Sequence, residues 1–272
     1  MSEPRYLTKS RYKLALECPT KLYYTRKKEY ANSKLDDSFL EALADGGYQV
    51  GELAKRYFPE GHDIRSLDYE EAENRTSELL EQENVTIFEP AIRYNNLFIR
   101  IDVLVKKGNH FDLIEVKAKS YDKYNDSFSG KRGGLDGKWK PYLFDVAFQN
   151  HVLTNAFPHA TINNYMMLAD KNAKCTTDGL NQKFRITRDI NNRKSVSIHH
   201  SLTEEDLAHK VLVQVPVDEA VEYIQSQTYT ADRSFRDEIQ YLAEAYEKNN
   251  KIPPTIGRHC KECEFVCAKD DD

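Results

Sequence analysis

The chain has 272 residues, a length that suits one large domain or one domain with a substantial insertion. With 40% hydrophobic and 31% charged residues it has the composition of a soluble globular protein. No apolar run approaches a membrane span, and the start MSEPRYLTKSRYK lacks the apolar segment of a secretion signal, so a cytoplasmic location and no membrane partner are expected. The net charge of −5 argues mildly against a protein that coats nucleic acid, and less against an enzyme with one basic groove.

Residues 8–28 read as helical, with Thr8 or Ser10 as cap and a break at Cys18-Pro19. Residues 36–58 read as a second helix with Phe39, Leu43, Val50, Leu53 and Tyr57 on its apolar face. Gly46, Gly47 and Gly51 are costly inside a helix and predict close approach of another backbone or a ligand. A third, largely polar helix is expected over 68–82. Val85–Ala91, Asn96–Val105 and Phe111–Lys117 are rich in β-branched and aromatic residues, with Gly108-Asn109 as a hairpin turn between the last two. A Gly-rich charged stretch runs from Lys123 to Lys140, then a helix over 142–156 and a strand over Thr161–Leu168. Strands over 196–201 and 210–216 and helices over Asp218–Gln227 and Ala231–Lys248 follow. This order predicts an α/β or α+β core with a mainly helical wrapping. It divides into a helical part (1–84), a core (85–216) and a helical end with clustered cysteines (217–272).

The chemistry concentrates in Ile99–Val105 and Leu113–Lys117. Alternation along a strand puts Arg100 and Asp102 on one face, and Glu115 and Lys117 on one face of the next strand. A hairpin would gather Asp102, Glu115 and Lys117 on one side. Two carboxylates can hold Mg²⁺ or Mn²⁺, with the Val116 carbonyl as a further oxygen ligand, and a lysine can steady charge developing on a phosphate. The rival reading is an ordinary polar sheet face.

Five cysteines are present: Cys18, Cys175, Cys260, Cys263 and Cys267. Cys260-x2-Cys263-x3-Cys267 is compact enough to wrap a metal centre, with Cys18 as the obvious fourth thiolate and His259 a weaker candidate. Structural Zn²⁺ and an iron–sulfur cluster are both compatible with that spacing. Cys175 stands apart as a free thiol.

These features together resemble the RecB/AddB-like branch of the PD-(D/E)XK nucleases. Leu7-Thr-Lys-Ser10, Cys18-Pro19-Thr-Lys21-Leu-Tyr-Tyr24, Asp102, Glu115-Val-Lys117 and Asp145-Val-Ala-Phe-Gln149 carry the likeness, which spans nearly the whole chain. The chain looks similar to the CRISPR-associated iron–sulfur exonucleases, and Met167–Lys171 with Asp178–Gln182 resembles a related uncharacterised bacterial group. The resemblance implies a restriction-endonuclease-like α/β fold, with a mixed central sheet flanked by helices, and a metal-dependent deoxyribonuclease that acts as an exonuclease on single strands or DNA ends. It implies Asp102 and Glu115 as metal ligands, Lys117 as catalytic lysine and Gln149 beside the substrate or that lysine. It also implies a [4Fe–4S] cluster on Cys18, Cys260, Cys263 and Cys267 that joins the two ends of the chain. Members of the uncharacterised group often continue into a second domain, so a short or truncated form, or a protein partner, is expected.

The chain departs from the family at two positions. Gly51 stands where a metal-binding His is expected, leaving Glu52 as a substitute ligand, and Leu153 stands where a Tyr follows the glutamine. The Lys123–Lys140 stretch carries five basic residues, two acidic ones, four glycines and Trp139. Such a loop can grip phosphates and stack on a base, or simply be solvated. Arg100, Lys119, Lys131, Arg132, Trp139 and Tyr142 are the candidate substrate contacts. His199-His200 is taken as incidental.

Overall fold

The computed structural model describes residues 4–33, 38–188 and 194–266. In chain order the elements are β1 (Leu7–Thr8), α1 (Lys9–Glu17), α2 (Lys21–Tyr24), β2 (Ala31–Asn32), α3 (Ser38–Lys55), β3 (His62–Asp63), α4 (Tyr69–Leu80), β4 (Asn84–Phe88), β5 (Ala91–Tyr94), β6 (Leu97–Arg100), β7 (Val103–Lys107) and β8 (His110–Tyr121). They continue with α5 (Lys140–Ala156), β9 (Thr161–Asp170), β10 (Phe184–Arg188), β11 (Lys194–Ile198), α6 (Glu204–Leu207), β12 (Leu212–Pro216), α7 (Asp218–Ser226), α8 (Phe235–Glu247) and β13 (Phe265–Val266).

A six-stranded mixed sheet has the order β12-β9-β8-β7-β4-β3. β8 is its spine: antiparallel to β7 in the register Val103–Ile114, parallel to β9 in the register Glu115–Met166. Its Leu113–Glu115 stretch is buried, with both faces of the sheet covered there. Accordingly Phe111 and Leu113 pack into the core that holds α1, α5, α7 and α8, whereas Ile114 packs into a second core with Leu53 and Ala54 of α3 and Phe184 of β10. The architecture is therefore α/β, with helices on one face and α3 plus the β10–β11 hairpin on the other. The Glu115 face is covered by α5, which disposes of the exposed polar sheet face. α5 is buried nearly all round, from Leu143 to Leu153, as expected of a helix wedged between a sheet and other helices.

The N-terminal helix breaks at Cys18-Pro19, where Cys18 is extended because proline disfavours the α region in the residue before it. The expected strand over Asn96–Val105 is two strands. β6 belongs to a separate three-stranded sheet, β1-β6-β5, and β7 to the large one, with Ile101-Asp102 as the step between them. α3 runs unbroken through Gly46, Gly47 and Gly51, and a methyl group at any of the three would meet no atom within 4 Å. The glycines therefore mark no close approach of another backbone among the described residues. Val50 and Leu53 do face the core, while the side chains of Phe39 and Leu43 lie outside the described part.

Open space at Gly51 has a thermodynamic consequence. Gly51→Ala should stabilise the protein by about 1 kcal/mol, because helix propensity rises with no steric cost. Urea unfolding at constant m-value checks it, and a lower midpoint would show that α3 needs the glycine.

Candidate active site

Glu115 lies at the centre of β8 and is 0% exposed. An unpaired carboxylate there would be expensive, so its partners organise the site. Lys9 Nζ, from the first turn of α1, donates to both Glu115 oxygens at 2.9 Å and stands 3.8 Å from Asp102 Oδ1. Lys117 Nζ lies 2.5 Å from Glu115 Oε1 and 3.5 Å from Asp145 Oδ2. Gln149 Nε2, on α5, donates to Glu115 Oε2 at 2.8 Å. The Val116 N–H donates to Asp102 Oδ2 at 2.7 Å, which turns Asp102 toward β8 and leaves its other oxygen facing Lys9.

Each contributor is placed by a local feature. Thr8 caps α1, and β1 pairs in parallel with β6, so Lys9 is delivered beside the step that carries Asp102. Asp102 sits one position before Val103, which pairs with Ile114, so it faces the Glu115 position across the hairpin. Asp145 and Gln149 are four apart and project from one face of α5.

The charges govern one another. Burial would raise the Glu115 pKa, but the Lys117 and Lys9 ammoniums hold it well below the carboxylate range. Burial works against a charged Lys9, yet Asp102 and Glu115 outweigh it and push the pKa up to about 12. Lys117 is likewise raised, against burial, by Glu115, Asp102 and Asp145. Asp102 and Asp145 are shifted up by burial and then by the Glu115 charge. Glu89, in the corner between β4 and β5, is pushed up to about 7 by burial and by Asp102. Its backbone is left-handed, at φ 55°, and its N–H donates to the Asp102 carbonyl at 3.3 Å. That conformation is costly for a side chain with a Cβ.

Asp102, Glu115, Lys117 and Gln149 are brought together as the sequence predicts, and Val116 joins them through its N–H. Lys9, Asp145 and Glu89 were not singled out. Lys9 stands 106 residues from Glu115, and its only trace was a place in the Leu7–Ser10 stretch.

Other expectations need correction. The Glu52 carboxylate pairs with Lys55, on its own helix, and with Arg56, just past the end of it, and not with Asp102 or Glu115. Arg100 is turned away from the carboxylates: its guanidinium donates to the carbonyls of Ser66 at 2.6 Å and Ile64 at 2.9 Å. Trp139 is 0% exposed, edge-on to Phe128 and Tyr121, so it cannot stack on a base. That aromatic cluster ties down the Lys123–Lys140 stretch, which is not merely a solvated loop. Lys131 and Arg132 are exposed at its tip, and no contact brings them to the carboxylates. Lys119 and Tyr142 lie together, with Lys119 Nζ 5.1 Å from the Tyr142 ring centre.

Among the described residues no three His, Cys, Asp or Glu side chains form a group able to hold a metal. The donor set of Asp102 and Glu115 nevertheless suits a hard cation, because both carboxylates already converge on one cationic atom, Lys9 Nζ. The fit is to two protein carboxylates, with no third. Of the cysteines, Cys18 is buried, Cys260 and Cys175 are exposed and Cys263 is half-buried, while Cys267 lies outside the described residues. The two ends of the chain do meet. β13 pairs with β2, Lys21 binds Glu264 at 2.6 Å in a buried ion pair, and the Thr20 hydroxyl donates to Ile252 O at 2.8 Å.

Folding favours the protonated form of Glu89, since its pKa rises from 4.5 to about 7. The stability linked to that shift is present below pH 4.5 and is lost as the pH climbs through 7. Glu89→Gln should therefore raise Tm more at about pH 8 than at about pH 4.5. Equal shifts at both pH values would show that Glu89 titrates normally. Comparison with known proteins places the chain in no family: no family model, no curated protein and no solved structure matches it.

Proposed function

We propose that the protein is a divalent-metal-dependent nuclease that hydrolyses phosphodiester bonds in DNA, acting on single strands or ends in repair, recombination or defence. The observation that carries this reading is the convergence of Asp102 and Glu115 on a single cationic position with Lys117 beside it. Asp102 and Glu115 would hold Mg²⁺ or Mn²⁺, which supplies a more acidic water and neutralises phosphate charge. Lys117 offers a fixed ammonium to orient the attacking water or to meet charge building on the phosphate. Asp145 holds that ammonium in place, and Gln149 fixes the Glu115 carboxylate so that it presents its oxygens in one orientation. Lys9 must yield at least part of its contact with the two carboxylates for a cation to share them.

That last requirement favours a second reading. If Lys9 stays between the carboxylates, the domain is a nucleic-acid-binding module that docks to a partner without cutting. One experiment separates the two. Labelled single- and double-stranded DNA is incubated with Mn²⁺ or Mg²⁺ and either wild type or Lys117→Ala. The nuclease reading expects cleavage by wild type and a loss of at least ~10²-fold in the variant. Binding without cleavage by wild type would establish the module, and equal cleavage by both proteins would refute the site.

The same reading places a [4Fe–4S] cluster on Cys18, Cys260, Cys263 and Cys267, supported by the junction of β2 with β13 and by the Lys21–Glu264 pair between the chain ends. Anaerobically purified protein should be brown, with iron and sulfide in equal amounts, and Cys263→Ser should lose both. Colourless protein with stoichiometric zinc would replace the cluster by a zinc centre.

A further inference from the structure

Four lysines line the site on two elements, and they divide into two kinds. Lys9 and Lys117 are locked to carboxylates. Lys13, one helical turn beyond Lys9 on α1, and Lys119, two residues beyond Lys117 on β8, form no ion pair with a carboxylate among the described residues, although Lys13 stands near enough to Asp145 to act on its charge. Both instead converge on one ring. Lys119 Nζ is 5.1 Å and Lys13 Nζ 5.9 Å from the centre of Tyr142. Tyr142 opens α5 three residues before Asp145 and seven before Gln149, so all three share one helix face. A β-bulge between Lys117 and Ser120 breaks the register with β9 and re-aims this end of β8.

Three rows thus run in parallel away from Glu115: Lys9 to Lys13, Lys117 to Lys119, and Gln149 through Asp145 to Tyr142. Acidic groups gather at the inner end, and two ammoniums outside any ion pair stand at the outer end. An aromatic face holds an ammonium without neutralising its charge. Each of these cations is fixed, yet still open to an anion.

We propose that Lys13, Lys119 and Tyr142 form a clamp for a backbone phosphate of a single-stranded polynucleotide, next to the phosphate that is cut. The inference rests on the phosphodiester reading of the carboxylate site. A single strand suits two cations beside an aromatic ring, because its bases are unpaired and free to stack and its backbone can bend from the carboxylates to the ring. Cationic grooves with aromatic side chains are the usual means of holding such strands.

The test measures fluorescence anisotropy of labelled single-stranded DNA, single-stranded RNA and blunt duplex with EDTA present, so that binding is read without cleavage. Lys13→Gln/Lys119→Gln is compared with wild type and with Lys107→Gln, a control at the far β7–β8 turn. The clamp predicts that wild type prefers a single strand. The double variant should bind it about tenfold more weakly near ~0.1 M salt, with a salt slope shallower by about 0.7, as for one neutralised phosphate. Tyr142→Phe should bind like wild type and Tyr142→Leu weakly. Mn²⁺ binding, followed by electron paramagnetic resonance, should be the same in wild type and the double variant. The DNA and RNA arms report which sugar the clamp accepts. Wild-type affinity and slope in the double variant would overturn the clamp alone, as would equal binding of duplex. Failure of wild type to bind any strand would overturn the clamp and the nuclease reading together. Strand binding with no Mn²⁺ binding would sink the nuclease reading and leave the clamp.

Discussion

The Glu115 carboxylate is shut off from solvent in the middle of the sheet, and an ion so placed costs several kcal/mol unless charge and hydrogen bonds compensate it. Compensation comes from three separate elements: Lys9 on α1, Lys117 on β8 itself and Gln149 on α5. Two of the three, Lys9 and Gln149, would be lost if α1 or α5 were displaced. The polar centre thereby fixes how the two helices sit on the sheet, which the surrounding aliphatic core, being non-directional, does not. The short β1–β6 pairing is the backbone counterpart of the same constraint, because it anchors the residue before Lys9 to the strand that leads to Asp102.

The step at Ile101-Asp102 serves the same centre. A continuous strand through Asp102 would have kept Arg100 and Asp102 on one face of one sheet. The chain instead leaves β6 in the small sheet and enters β7 in the large one. Arg100 can then turn away to hold the carbonyls of Ile64 and Ser66, while Asp102 turns inward to the Val116 N–H. The Glu89-Pro90 corner packs against this step through Glu89 N–H to Asp102 O and Ile101 N–H to Pro90 O. A left-handed glutamate beside a bent strand shows where local conformational cost is concentrated: around Asp102, the more exposed of the two paired carboxylates.

What could be read from the sequence followed the range of the interactions. The hairpin turn at Gly108-Asn109, the break at Cys18-Pro19 and the helices and strands after residue 140 depend on local periodicity and turn chemistry, and they lie close to where these predict. Asp102, Glu115 and Lys117 were visible because two neighbouring strands and a two-residue turn fix their relation. Lys9 was invisible because its role arises only when β1 joins β6, a pairing across some ninety residues that no spacing encodes. Trp139 misled for a related reason. A tryptophan among lysines and glycines looks solvent-facing, but Tyr121 and Phe128 supply an apolar nest for it. The glycines of α3 misled in the opposite direction, since open space around a helix leaves no mark in sequence. Glu52 had a plausible position but also Lys55 and Arg56 three and four residues on, and pairs at that spacing commonly claim a helical carboxylate.

The net charge of −5 is a poor guide to what this surface can bind, and the site explains why. The sum counts Glu115, Asp102 and Asp145, three carboxylates faced within the site by the two ammoniums of Lys9 and Lys117. It also counts the Lys21–Glu264 pair that joins the chain ends and the Lys183–Asp206 pair beneath the β10–β11 hairpin. Paired charges cancel at short range, and a partner at the rim responds to those left uncancelled within about one Debye length, roughly 8 Å at physiological salt. Beside this site those outside any ion pair are Lys13 and Lys119, both close to the Tyr142 ring. An acidic protein can in this way present cations to an anionic strand, while many of the acids that make it acidic are already paired.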